Sequence, residues 1–127
     1  MPAIAFAAPL RPGKTEIDRL AMESCWRGRR KEAYQDARRR AGITKESVWL
    51  QSTPNGDLAV VYIEADDIGA ALAAIAGSAE PFDRWFREHI HDVHGIALED
   101  GFPTAVPLLD FDIDRAGQVG QVGQVGP

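Results

Sequence analysis

The sequence holds one cysteine, Cys25, so it cannot close a disulfide on itself. No apolar run approaches the roughly 20 residues of a membrane helix, and the alanine-rich stretch 70–76 is short and flanked by acids. Basic charge is also in short supply. Lys and Arg total 14 against 19 Asp and Glu, a net charge of -5, which argues against a nucleic-acid or anionic-membrane partner. The first residues, MPAIAFAAPLRP, lack the charged start and long apolar core of an export signal. These absences together predict a soluble, cytoplasmic protein in a reducing setting. No motif names a cofactor, and none is expected.

What is present is an ordinary globular composition, 45% hydrophobic and 26% charged over 127 residues, enough for one core. The domain is expected over residues 1–115. Residues 116–127, with their Gly-Gln-Val repeat, form a low-complexity tail too poor in apolar surface to offset its own ordering entropy. Ile4, Phe6 and Ala8 alternate with alanines as a first strand, turned at Arg11-Pro12-Gly13. Thr15 is placed to cap a helix with an inward stripe of Ile17, Leu20, Ala21 and Ser24. Past Gly28 the stripe moves to Tyr34, Ala37 and Ala41, which predicts a bend or a second helical segment ending at Gly42.

Two alternating runs, Ser47 to Thr53 and Leu58 to Ala65, flank Pro54-Asn55-Gly56, a strong hairpin signal. Asp66 or Asp67 then caps a short helix carrying Ile68, Ala71, Leu72 and Ile75, stopped at Gly77-Ser78. Pro81 opens a last helix, closed by Gly95, with Phe82, Trp85, Phe86, Ile90 and Val93 on one side. Finally Leu109, Phe111 and Ile113 alternate with Asp110, Asp112 and Asp114 and read as a fourth strand. The predicted fold class is α+β, a ferredoxin-like four-stranded antiparallel sheet with helices on one face. The other face would carry Ala3, Ala5, Ala7, Trp49, Gln51, Val60 and Tyr62. Two large aromatics there call for cover, and a homodimer through Trp49, Gln51 and Tyr62 is the expected solution.

Three segments add a family likeness: Arg11-Pro12-Gly13-Lys14, the hairpin Pro54-Asn55-Gly56 leading into Leu58-Ala59-Val60-Val61-Tyr62, and Pro81-Phe82-Asp83-Arg84-Trp85-Phe86. Through them the chain, from about Ile4 to Ile113, resembles the dimeric α/β-barrel superfamily, in which two ferredoxin-like sheets pack face to face. That resemblance implies a dimeric α/β barrel. It leaves open a range of cofactor-independent chemistries, among them those of monooxygenases, cyclases and isomerases. Many of the enzymes resembled place a histidine in the short helix after the third strand, where this chain has Ala73-Ala74-Ile75.

All three histidines lie in Arg87-Glu88-His89-Ile90-His91-Asp92-Val93-His94. At about 100° per residue His89 and His91 point nearly opposite ways. His91 and His94 share a side, but Arg87 one turn earlier brings a positive charge, so no metal site is expected. His89 falls in the apolar stripe and has two readings. One is a core histidine bonded to backbone or buried water. The other is a neutral imidazole serving as base or hydrogen-bond partner in a helix-sheet cavity. Cys25, Trp26, Tyr34 and Trp85 are candidates for the walls of that cavity, or for core. Cys25 has a further reading as a nucleophile beside Arg27, against a buried inert thiol. The arginines at 27, 29, 30 and 38–40, with Lys31, read as a solvated basic face able to steer an anion or meet an acidic partner.

Two functions follow from this reading. One is a small-molecule binding protein or cofactor-independent enzyme taking a small aromatic or anionic ligand. The other is a noncatalytic dimeric interaction module.

Overall fold

The computed structural model describes residues 2–115, and the Gly-Gln-Val tail lies outside them. The chain runs β1 (Ala3–Pro9), α1 (Thr15–Arg27), α2 (Lys31–Ala41), β2 (Ile43–Thr53), β3 (Gly56–Ala65), α3 (Ile68–Gly77) and α4 (Pro81–His94), then 3-10 turns at Leu98–Asp100 and Ile113–Arg115. Over the described residues the class is α+β, with four helices on a three-stranded antiparallel sheet of order β1-β3-β2. Among the described residues β1 pairs only with β3, which leaves its outer edge unpaired.

Period-2 alternation sorts the sheet residues into two faces. Ala8, Ala59, Ile63 and Ala65 are buried under the helices. On the opposite face the register aligns Ala7 with Val60 and Trp49, and Ala5 with Tyr62 and Ser47. The expected open face is therefore present, and Trp49 on it is 55% exposed. The hairpin forms at Pro54-Asn55, with Gly56 at φ 124°. β2 starts at Ile43, four residues before the expected Ser47, with a register shift between Ile43 and Lys45.

The helix ends follow local chemistry. Asp67 caps α3, its side chain accepting from the Ala70 N–H at 3.0 Å. Gly42 and Gly95 close α2 and α4 in the left-handed region, at φ 82° and 73°. The expected break at Gly28 occurs, and a Cβ there would lie 2.8 Å from the Ser24 Cα. Only glycine lets the chain leave α1 so close to its last turn.

Three expectations need correction. Thr15 is the first residue of α1 and not its cap; its hydroxyl donates to Asp57 at 2.6 Å. The inward face of α1 is Asp18, Ala21 and Cys25, while Ile17 and Leu20 are 47% and 56% exposed. The segment carrying Leu109, Phe111 and Ile113 is not a strand, and these side chains stay exposed. There the Asp112 side chain accepts from the Asp114 N–H at 2.8 Å and from Arg115 at 3.3 Å. A local side-chain-to-backbone turn of this kind competes with a sheet ladder.

Candidate functional site

α1 is fixed at both ends and stands off the sheet between them. At its start Lys14 pairs with Asp92 of α4 at 2.8 Å, and Thr15 bonds Asp57 at the head of β3. The Arg11 N–H, in the loop before it, donates to the Val93 carbonyl at 2.8 Å. At its end Cys25 is buried with Ala37 and Phe82, and Tyr34, Trp85 and Phe86 pack around them. Arg30 also bonds Ser24 there, at 3.0 Å. The helix is thus held like a beam over the sheet.

Beneath it lies a cavity of about 660 Å³, within the range of small-molecule sites. Its floor is Phe6, Ala8, Ala59, Val61 and Ile63 of the sheet, and α1 roofs it with Asp18, Met22, Cys25 and Trp26. Phe86 and Ile90 of α4 and Phe102 after it close one side. Val48 and Leu50 of β2 and Trp26 of α1 line it yet remain exposed, the last at 68%, and mark its mouth.

Two buried acid-base pairs border the cavity. Asp18 and His89 join α1 to α4, with His89 Nε2 2.8 Å from Asp18 Oδ1 and both side chains buried. When Asp18 is ionised it only accepts, so the facing Nε2 carries the hydrogen. The His89 ring stacks on Trp85 at 5.4 Å. Asp18 lines the cavity; His89 stands behind it.

The second pair joins α2 to β2. Glu46 Oε1 accepts from Arg38 Nε at 2.7 Å and from the Tyr34 hydroxyl at 2.6 Å. Burial and the Glu46 carboxylate push the Tyr34 hydroxyl well above its ordinary range, against the opposing pull of Arg38. Tyr34 is therefore a donor throughout the neutral range. Desolvation raises the Cys25 thiol as well, so the free cysteine is protonated and a poor nucleophile near neutral pH.

Of the residues named from sequence, Cys25, Trp26 and Tyr34 line the cavity. Trp85 does not: it is sandwiched between Phe82, His89 and the Arg30 guanidinium, the last 3.9 Å from its ring centre. His89 reaches the site only through Asp18. Trp49, Gln51 and Tyr62 share the open face, where the Tyr62 hydroxyl donates to Glu64 at 2.5 Å. The basic run is in large part the solvated face expected, with Arg27, Arg29, Lys31, Arg39 and Arg40 exposed, but Arg30 and Arg38 turn inward. Arg38 is buried on Glu46, Arg40 bonds Asp36 and Asp83, Arg27 bonds Glu23, and Arg30 covers Trp85. His94 Nδ1 lies 2.8 Å from the Pro9 carbonyl.

Sequence reasoning missed Asp18, Glu46 and the burial of Arg38. The signal for Asp18 was its spacing from Ala21 and Cys25, which makes a second stripe beside the more oily one. For Glu46 it was alternation with Val48 and Leu50. A search of family models, curated proteins and solved structures finds no match to this chain.

Proposed function

We propose that the protein binds a small, mostly apolar molecule in the cavity under α1 and moves a proton on it. Asp18 touches the ligand and takes its proton, and His89, its Nε2–H bonded to the Asp18 carboxylate, holds that carboxylate from behind. The observation that carries the reading is the cavity itself, apolar over most of its wall, with one carboxylate of a buried pair on its roof. The imidazole N–H stabilises the buried carboxylate before the transfer, and the carboxyl is neutral once it has accepted the proton. Thermal shift with a library of aromatic and polyketide-like compounds tests it. Ligands should raise the melting temperature by mass action. Asp18→Asn should keep the shift and lose turnover of any compound that reacts. Uniformly flat curves with the wild-type protein sink the proposal.

A second reading concerns the open face. The order β1-β3-β2 is that of a ferredoxin-like sheet without its fourth strand, and Trp49, Val60 and Tyr62 lie together on the uncovered side. We propose that a second copy covers this face, as in a dimeric α/β barrel. On that reading Trp49→Glu gives monomers or aggregates in light scattering, because a charge would be buried against the twin sheet. An unchanged stable dimer refutes the packing, and a wild-type monomer refutes the dimer. If the cavity proposal fails and this one stands, the protein is a noncatalytic dimeric module.

A further inference from the structure

Arg38 sits on the cavity wall with its side chain 5% exposed, and only its Nε has a protein acceptor. Nη1 and Nη2 are buried, and among the described residues neither makes a hydrogen bond. Phe86, Tyr34 and Phe82 surround the guanidinium, their ring centres 4.6, 5.0 and 5.9 Å from Cζ. Ring faces attract the cation but give no in-plane lone pair to an N–H. Buried donors without acceptors are costly and rare, so this side chain is short of acceptors.

It is not short of negative charge. Burial opposes the charged form, yet Glu46 and the nearby Asp83 outweigh it and raise the guanidinium above its ordinary value. A carboxylate ligand would add a third acid to one arginine. A neutral oxygen would satisfy the free N–H groups without that repulsion. The apolar wall beside Arg38, including Cys25, Ile75 and Phe86, suits a hydrocarbon body.

We infer that Arg38 anchors the neutral carbonyl oxygen of an apolar ligand seated in the cavity, so that the site takes ketones, quinones or lactones and not anions. The inference rests on the cavity being a ligand site, and the experiment separates the two. Three probes share one ring system: ethylnaphthalene, acetylnaphthalene and naphthoate. Acetylnaphthalene should bind about 10-fold more tightly than ethylnaphthalene, as expected for a hydrogen bond to a charged donor. Naphthoate should bind no better than the hydrocarbon. In nitrogen-15 spectra of the wild-type protein the Arg38 Nη–H signals should move with the ketone and stay with ethylnaphthalene.

The variant Arg38→Met with Glu46→Leu removes both charges together, which preserves the fold better than either change alone, and it should bind ketone and hydrocarbon equally. Equal binding of the two by the wild type, with unmoved Arg38 signals, overturns the anchor and leaves the cavity as an apolar site. Tightest binding by naphthoate overturns the neutral-ligand assignment. No binding by any of the three overturns the cavity reading and the anchor with it.

Discussion

α1 and α2 are consecutive helices, separated only by residues 28–30, yet they meet the sheet in different ways. α2 lies down on it: Ala37 is buried and Arg38 reaches Glu46 of β2. α1 is carried over it, fixed to α4 and to Asp57 at one end and to α2 at the other, with open volume beneath. The difference lies in what sets the rotation of each helix. On α2 the buried ion pair and the apolar stripe agree. On α1 they compete, and Asp18 with His89 prevails over Ile17 and Leu20, which are left half in water. Full burial of those two side chains would have contributed about 1.5–3 kcal/mol each. A buried polar pair in good geometry, costly to break once formed, is enough to turn a helix away from its oilier face.

The comparison breaks most visibly at Glu46. Glu46→Ala strands a buried guanidinium, and we expect a loss of about 3–5 kcal/mol in urea unfolding. Arg38→Met with Glu46→Leu should recover most of it. On the α1 side Leu20→Gln should cost no more than about 1 kcal/mol, because the side chain is already half exposed. A loss near the full burial value would show that this face of α1 is covered. Met22→Phe fills volume under the beam and should change stability by less than about 1 kcal/mol while abolishing ligand-induced thermal shifts. The same substitution in a tightly packed core would be strongly destabilising.

Smaller effects come from titration. The Cys25 thiol is raised by burial, so the folded state holds its proton longer than the unfolded chain. Its contribution is complete below the unfolded thiol value of about 8.5 and falls as pH rises toward the folded value. Replacing it in Cys25→Ala should flatten stability between neutral and mildly alkaline pH, and iodoacetamide should label the folded wild type far more slowly than the urea-unfolded chain. The smallest expected effect is at Asp92, whose carboxyl is lowered chiefly by its hydrogen bond from Lys14. That contribution exists above the ordinary aspartate value and disappears as pH falls through the folded one. In Lys14→Met the Asp92 carbon-13 titration should move back up, with little change in melting temperature.

How much of this was readable from the chain depends on what each residue answers to. Elements governed by their neighbours in sequence were legible: the turn at Pro54-Asn55-Gly56, the cap of α3 to within Asp66 or Asp67, the break at Gly28 and the stops at Gly42 and Gly95. Elements governed by a distant partner were not. Spacing sets Asp18 on a stripe with Ala21 and Cys25, but only the fold shows that it faces His89 while Asp36 meets Arg40 at the surface. Arg38 reads like Arg39 until Glu46 is placed across from it. The segment from Leu109 to Ile113 has a strand's alternation, but its acids close a local turn with Arg115 instead of joining the sheet. Of the site, three wall residues were named from sequence; the two buried pairs depended on contacts across the fold.

The outer edge of β1 has a consequence for how the protein behaves in solution. Its seven residues, AIAFAAP, carry no charge and no bulky polar side chain, whereas exposed strand edges are ordinarily guarded by lysine, bulges or irregularity. Pro2 and Leu10 turn their backbone groups toward β3, so the outward donors are those of Ala3, Ala5 and Ala7, and the row stops at Pro9, which lacks an N–H. An incoming strand therefore finds only a short ladder of three donors. Such an edge tolerates brief pairing yet gives a poor template for a long fibril.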